Sequence, residues 1–134
     1  MPETITKSIP FDFDRIDRRT KKVTPALIQA VRDRIVHHIH PQKVVLFGSQ
    51  ASGTAAESSD IDVLVVLDNG HPLAPLKQRD RVGALQELFR YRLFGLDAIV
   101  PTEDEVRKLA AENEGEWDLV LEILEEGKTL YDRS

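Results

Sequence analysis

The segment "VVLFGSQASGTAAESSDIDVLVV" (Val44–Val66) contains two runs of strand-forming residues separated by a short polar loop. Runs of β-branched and aromatic residues bounded by Gly, Ser and Asp are typical of strands. The first run ends at Gly48 and Ser49, and the second begins with Asp60 and, two residues later, Asp62. The segment therefore predicts two strands that place a glycine turn and two carboxylates at the two ends of one loop.

The second run is apolar on both faces beyond Asp62, and this pattern is typical of a central strand that is covered on both sides. Two carboxylates at the start of such a strand are unusual. Because side chains alternate along a strand, Asp60 and Asp62 project from the same face, with Cβ atoms roughly 6.5 to 7 Å apart. Their position calls for a chemical explanation as well as a packing one.

The rest of the chain is predicted to surround these strands with helices. Apolar residues at helical spacing and terminal capping signals predict four helices, at about residues 24–40, 73–94, 102–113 and 116–127. A third strand is predicted at residues 96–101, and residues 128–131 could add a last extended segment. This order predicts an α/β (α+β) fold, a small mixed β-sheet flanked by helices.

The composition of the chain argues against several classes of function. The 134-residue chain has a net charge of −5 and a pI near 5.4, which argues against a surface that binds a long nucleic acid. It has no cysteine, which excludes disulfides and thiolate metal sites. No apolar stretch is long enough to span a membrane, and no secretion signal is present, so we expect a cytoplasmic protein. Residues 1–23 are predicted to be a charged N-terminal arm and residues 24–134 to be one domain.

Two neighbouring carboxylates repel each other, and burying either one unpaired is costly. A cation between them removes both problems, and Mg²⁺ prefers carboxylate oxygens together with the phosphates of a substrate. If the third strand lies beside the second, Asp97 can supply a third ligand, and three carboxylates can hold two metal ions. Gly48 and Ser49 would bind the phosphates through backbone N–H groups and a hydroxyl.

Each of these features has a simpler interpretation when taken alone. A Gly-Ser pair is often only a turn, an Asp-x-Asp pair is often exposed decoration, and Asp97 could be an edge residue. Their joint occurrence at strand ends favours a site. Trp117, Leu121 and Leu124, at helical spacing, either cover the core or form a partner-binding stripe, and the core is the favoured interpretation.

Gly48-Ser49, ten residues, then Asp60-Ile61-Asp62 resembles the signature of the DNA polymerase β-type nucleotidyltransferase superfamily, with Asp97 in the place of the third catalytic carboxylate. The short chain and its ending, "ILEEGKTLYDR", are similar to the minimal nucleotidyltransferases, the antitoxin components of HEPN/MNT toxin–antitoxin pairs. The resemblance covers about residues 25–133.

The resemblance implies a role for each matching residue. Gly48 and Ser49 would bind the triphosphate, Asp60, Asp62 and Asp97 would bind Mg²⁺, and Asp97 would also help to deprotonate the acceptor. Many relatives carry arginines in the loop after Gly-Ser. This chain has Gln50 and Ser52 there. The candidates for a replacement cation are the basic residues Lys77, Arg79 and Arg81.

We therefore expect a Mg²⁺-dependent enzyme that transfers AMP from ATP to a hydroxyl, expected to be a tyrosine, of a HEPN-domain toxin. The predicted core and helices use the whole chain, so the acceptor surface is expected to come from another protein chain, in a homo- or hetero-oligomer. Two alternatives remain open. One is an inert module that neutralises the toxin by binding it, and the other is a small-molecule nucleotidyltransferase whose acceptor pocket forms across a homodimer.

Overall fold

The computed structural model describes residues 23–53, 60–90 and 92–133. The helices of this part of the chain are α1 (Pro25–Ile39), α2 (Ser49–Ser52), α3 (Gln78–Glu87), α4 (Glu103–Glu112) and α5 (Leu119–Glu126). Its strands are β1 (Lys43–Phe47), β2 (Ile61–Val66), β3 (Leu96–Ile99) and β4 (Lys128–Asp132). The predicted N-terminal arm lies outside the described residues except for Val23, which is buried in the core. Within the described ranges, no helix is long and apolar enough to cross a bilayer.

The four strands form one mixed sheet in the order β3-β2-β1-β4, which confirms the predicted α/β fold class. β1 pairs antiparallel with both β2 and β4, whereas β2 and β3 are parallel. Parallel neighbours need a crossover connection, and α3 lies in the connection between β2 and β3. The predicted central position of the Asp-x-Asp strand is confirmed.

Both faces of β2 are covered by apolar side chains. On one face, the larger cluster combines Ile61, Val63 and Val65 with residues of α1 and α3, including Ile35 and Leu85. On the other face, a smaller cluster combines four buried residues, Val45, Leu64, Val66 and Ile123 of α5. The sheet is therefore the middle layer, and the smaller cluster lies on the face that Asp62 shares.

The predicted capping signals are present. The Thr24 hydroxyl accepts a hydrogen bond from the Leu27 amide (3.2 Å), and Pro25 occupies the first turn of α1. Thr102 and Glu105 form a capping box, in which the Thr102 hydroxyl accepts from the Glu105 amide and the Glu105 carboxylate accepts from the Thr102 amide. Both helices therefore begin where the sequence indicates.

The second of the four predicted helices corresponds to α3 and is much shorter than predicted. It was expected within residues 73–94, but α3 spans only Gln78–Glu87. Turns stabilised by bonds such as Ala74 N–H to the His71 carbonyl (2.9 Å) precede it. At its other end, Phe89 N–H donates to the Gln86 carbonyl (2.9 Å), an i→i−3 bond typical of a tightened last turn. Leu93, which follows the same spacing in the sequence, is consequently 52% exposed.

The prediction that Trp117 covers the core is wrong. Asp118 caps α5, since its carboxylate accepts from the Leu121 amide (3.2 Å), and the helix begins only at Leu119. Trp117 therefore precedes the helix and does not share the face that packs on the sheet. Its side chain is exposed, whereas Leu124 packs against the smaller core cluster.

Candidate active site

The parallel pairing of β2 with β3 brings two of the predicted site residues side by side. In this register Asp62 is opposite Asp97, and Ile61 is opposite Leu96. The Ile61 amide donates to the Gly95 carbonyl (2.9 Å), and Asp60 immediately precedes β2. All three carboxylates therefore lie at the end of the sheet where β2 and β3 begin. We call this the site end.

Gly48 lies at the same end of the sheet. Phe47, the last residue of β1, pairs with Asp62, and Gly48 follows with φ of 75° and ψ of −159°, a conformation that favours glycine. A Cβ atom at Gly48 would overlap a carboxylate oxygen of Asp62. The glycine therefore allows this close approach of backbone and carboxylate.

A second glycine accommodates the Asp60 carboxylate. A Cβ atom at Gly95 would overlap this carboxylate, so the Asp60 side chain rests against the Gly95 backbone. Sequence reasoning missed Gly95. The available signal was its position directly before the third predicted strand, where a glycine indicates a close approach of backbone or ligand.

The electrostatics of the three carboxylates are unfavourable. Burial raises the pKa of the Asp62 carboxyl, and the charges of Asp97 and Asp60 raise it further. Among the described residues, none of the three accepts a hydrogen bond from another side chain or pairs with a basic one. Within the described ranges, the negative charge of the cluster is therefore uncompensated, and a cation would stabilise it.

The fit to a metal ion can be tested on the positions of the donor groups. In the described ranges, no three His, Cys, Asp or Glu side chains converge closely enough to hold one ion. Asp62 and Asp97 are adjacent, whereas the Asp60 carboxylate rests against Gly95. Oxygen donors of this kind suit Mg²⁺, which binds through one or two carboxylates and completes its shell with water and phosphate oxygens. The residues present therefore fit a divalent cation that also binds a phosphorylated substrate.

The Gly48-Ser49 turn leads directly into the one-turn helix α2. The amides of Ala51 (3.1 Å) and Ser52 (3.2 Å) donate to the Gly48 carbonyl, and the Ser52 hydroxyl donates to the Ser49 carbonyl (3.1 Å). The turn is thus internally bonded and lies next to Asp62. Backbone amides at the start of such a turn have no acceptor within it.

The proposed replacement cation Arg81 is a wrong candidate, because its guanidinium is buried and fully bonded. Its N–H groups donate to the carbonyls of Leu73, Ala74 and Val100 and to both carboxylate oxygens of Glu105 (2.7 and 3.0 Å). These are five acceptors for the five donors of the side chain. The guanidinium also lowers the pKa of the Glu105 carboxyl. Arg81 is therefore a structural group.

Lys77 and Arg79 lie at the other end of β3. The Gln78 side-chain amide donates to the Val100 carbonyl (3.1 Å), and the Gln86 side-chain amide donates to the Leu96 carbonyl (3.1 Å). Helix α3 therefore starts near the end of β3 and finishes near its beginning. Two basic residues follow α3 toward the site end. Arg90 pairs with Glu87, and the buried Nε of Arg92 has no hydrogen-bond partner among the described residues.

Comparisons with known proteins identify the family of this chain. The family profile described as "Nucleotidyltransferase domain" matches residues 26–130. A "putative protein adenylyltransferase" of Methanocaldococcus jannaschii is 38% identical over 93 residues, 67% of this chain, and the chain spans only 58% of that relative's length. A second protein of the same description and organism is 32% identical over 117 residues, 86% of this chain and 97% of its own length.

A solved structure titled as a "putative nucleotidyltransferase" from Sulfolobus solfataricus is 25% identical and covers 62% of this chain and 70% of its own, with a TM-score of 0.47. The family match and the two curated relatives confirm the assignment that the Gly-Ser and Asp-x-Asp signature predicts. This chain belongs to the nucleotidyltransferase-domain family.

Proposed function

We propose that this protein is a Mg²⁺-dependent nucleotidyltransferase that transfers AMP from ATP to a hydroxyl group of a partner protein. The observation that carries the proposal is the register that places Asp62 beside Asp97 and against Gly48, with Asp60 two residues away. The two Methanocaldococcus jannaschii relatives, each described as a "putative protein adenylyltransferase", favour a protein acceptor.

Each site residue has a proposed role. Asp62 and Asp97, which are adjacent, would bind the metal ion directly, and Asp60 would take part through a water ligand. Gly48 and Ser49 would bind the triphosphate through backbone N–H groups and the Ser49 hydroxyl. When bound, the ion would neutralise phosphate charge and favour ionisation of the acceptor hydroxyl. The raised pKa of Asp62 is consistent with a carboxylate whose charged form a bound cation would stabilise.

The reaction is an in-line displacement at the α-phosphorus of ATP. The acceptor oxygen forms a bond to that phosphorus, the bond to the β-phosphate oxygen breaks, and pyrophosphate leaves. Asp97 would help to remove the acceptor proton, since it lies on the edge strand β3 and its side chain is exposed. The Gly48-Ser49 turn would hold the phosphates in place during the displacement at the α-phosphorus.

The finer identity of the partner rests on the family resemblance. We assign the acceptor to a tyrosine of a HEPN-domain toxin, which this protein would modify as the antitoxin in the cytoplasm. The site is an exposed sheet end, so an acceptor carried by another chain has access to it.

The direct test combines the purified protein, a HEPN-domain protein as candidate acceptor, Mg²⁺ and ATP labelled at the α-phosphate. We expect label on the partner, and none when the ATP carries the label at the γ-phosphate. A matched control for the site is Asp80→Asn, which changes an exposed aspartate on α3. Label transfer that survives in the Asp60→Ala, Asp62→Ala double variant would sink the proposed site.

A second candidate is an inert module that neutralises the toxin by binding alone. Two observations favour it: the loop has Gln50 and Ser52 where relatives carry arginines, and the described carboxylates do not converge as a three-ligand set. Calorimetry separates the candidates, because an inert module binds the partner without any Mg²⁺-dependent binding of ATP.

A further inference from the structure

An exposed apolar surface with acidic residues borders the site end. It consists of Trp117, Leu119, Glu122 and Glu126, and we call it the α5 surface. Trp117 is 70% exposed and Leu119 is 41% exposed, which makes them two of the four large apolar side chains exposed in the described residues. Exposed aromatic and aliphatic groups next to a cavity are typical of contact surfaces.

Trp117 is held in place although it is exposed. Its indole Nε1–H donates to a Glu122 carboxylate oxygen (2.9 Å), and Asp118 fixes the start of the following helix. A side chain that is already ordered loses little conformational entropy when a partner covers it. Tryptophans that become fully covered are frequent among the residues that dominate binding energy. The ring is therefore well suited to anchor a contact.

The α5 surface is continuous with the candidate active site. A cavity of about 360 Å³ separates α5 from the Gly48 turn, and its walls include Leu119, Glu122 and Glu126 on one side and Phe47 and Gly48 on the other. Gly48 in turn touches the Asp62 carboxylate. A chain segment lying in this cavity would therefore extend directly to the carboxylates.

The charge of this region selects one kind of occupant. Residues 109–127 contain seven carboxylates and no basic residue: Glu112, Glu114, Glu116, Asp118, Glu122, Glu125 and Glu126. The three site aspartates add to this negative field. A second copy of this chain, with a net charge of −5, would be repelled, whereas a basic segment would be attracted.

We infer that the α5 surface docks a segment of the acceptor protein that is rich in Lys and Arg and carries the acceptor hydroxyl. The inference rests on the proposed function, because it places that acceptor at the same site. Trp117 and Leu119 contact the apolar stems of the basic side chains, the indole face binds a cation, and Glu122 and Glu126 pair with the charged ends. The hydroxyl then extends past Gly48 to the aspartates.

Trp117 makes the test direct, because it is the only tryptophan of the chain. Its fluorescence is excited selectively while the protein is titrated with two peptides of equal length. One has Lys and Arg around a single tyrosine, and the other has Asp and Glu in those positions. We expect a saturable shift with the basic peptide that weakens with added salt, and none with the acidic peptide.

Two double variants, each of which replaces two carboxylates with neutral amides, sharpen the test. Glu122→Gln with Glu126→Gln removes the two cavity carboxylates and keeps an oxygen acceptor for the Trp117 indole. It should weaken binding of the basic peptide about tenfold, from two ion pairs of up to about 1 kcal/mol each. Glu114→Gln with Glu125→Gln removes two exposed carboxylates that do not line this cavity. The affinity of this control for the basic peptide should be within about twofold of the affinity of the parent, a difference of less than about 0.5 kcal/mol.

The outcomes separate docking from catalysis. Equal weakening in both double variants, equal binding of the two peptides, or no shift at all overturns the inference. A shift that appears with rising protein concentration alone would instead assign the surface to a second copy. AMP transfer is measured separately, so docking without transfer would contradict the proposed function, and transfer without a fluorescence shift would contradict only the docking.

Discussion

The two ends of the parallel pair β2–β3 differ sharply in how their polar groups are satisfied. At the far end, Leu67 N–H donates to the Pro101 carbonyl (2.9 Å) and the Glu103 amide donates to the Leu67 carbonyl (2.9 Å). Arg81 and Glu105 form a closed ion pair at the same end, which we call the clamp end. At the site end, three carboxylates have no basic partner in the described part of the chain.

The comparison shows that the fold tolerates unpaired negative charge at the site end, while the clamp end is stabilised by satisfied polar groups. The clamp end contains a capping box, a fully bonded guanidinium and backbone bonds that fix the register of β2 on β3. The same register places Asp97 beside Asp62 at the other end. Groups arranged for binding often lower stability, and neighbouring elements offset that loss.

The largest effect is expected from removing a charge at the site end. Asp62→Asn should lower AMP transfer by about a thousandfold, which corresponds to about 4 kcal/mol of transition-state stabilisation. The protein should remain folded, because the substitution removes repulsion and keeps the shape. The measurement is label transfer under single-turnover conditions, with circular dichroism as the check on folding. Transfer within tenfold of the parent would remove Asp62 from the proposed site.

The clamp end should show the opposite pattern. Arg81→Met should lower the free energy of unfolding by about 3 kcal/mol, near the bottom of the range for a broken buried ion pair, because Glu105 can return to water. Transfer by the folded protein should not change. Arg79→Met, an exposed arginine on the same helix, serves as the control and should cost less than about 0.5 kcal/mol. Denaturant unfolding measures both, and equal losses would contradict a clamp.

Substitutions at two glycines distinguish the effect of backbone strain from the effect of contact with the site. Gly48 and Gly53 both have positive φ, 75° and 77°, but a Cβ atom meets Asp62 only at Gly48 and nothing within 4 Å at Gly53. Gly53→Ala should cost about 1 kcal/mol and retain transfer, whereas Gly48→Ala should cost about 2 kcal/mol and lose transfer. Thermal unfolding and label transfer are measured on both. Retained transfer in Gly48→Ala would show that this contact is unimportant.

The smallest effect is a pH-dependent gain of stability in Asp62→Asn. The pKa of Asp62 is raised above its ordinary value of 3.8, so ionising it costs more in the folded state than in the unfolded state. The contribution of the Asp62 carboxyl to stability is fully present below a pH of 3.8, its ordinary pKa, and is lost as the pH rises through its raised pKa in the folded state. The variant should therefore be more stable than the parent at neutral pH, with the gain shrinking in acid.

Unfolding titrations at a series of pH values measure this difference. Added Mg²⁺ should stabilise the parent more than the variant, because the variant lacks one of the three carboxylates that attract the ion. A gain that is equal at all pH values would mean that charge is not its cause.

Local signals in the sequence predicted much of this architecture. The Asp-x-Asp strand is apolar beyond its start and is central, and the Thr102 capping box forms as written, since both depend on neighbouring residues. The pairing of Asp62 with Asp97 was predicted only conditionally. Strand order depends on contacts between distant segments, and the sequence of either strand alone does not specify it.

The remaining differences arise where tertiary structure overrides a local pattern. Arg81 has the sequence context of an exposed cation, but Glu105 and three carbonyls surround it only in the folded chain. Helical spacing continued through Leu93, yet tight turns end α3 earlier. Trp117 matched the spacing of α5 but precedes its Asp118 cap.

The crossover between β2 and β3 has a consequence for the order of biosynthesis. A nascent chain that has emerged through α3 already carries Gly48, Ser49, Asp60 and Asp62, but it has neither Asp97 nor Glu105. Parallel pairing closes a long loop, a slow type of contact during folding. We therefore expect Asp97 and Glu105, the carboxylate that accepts from Arg81, to join the sheet in the same late step of folding.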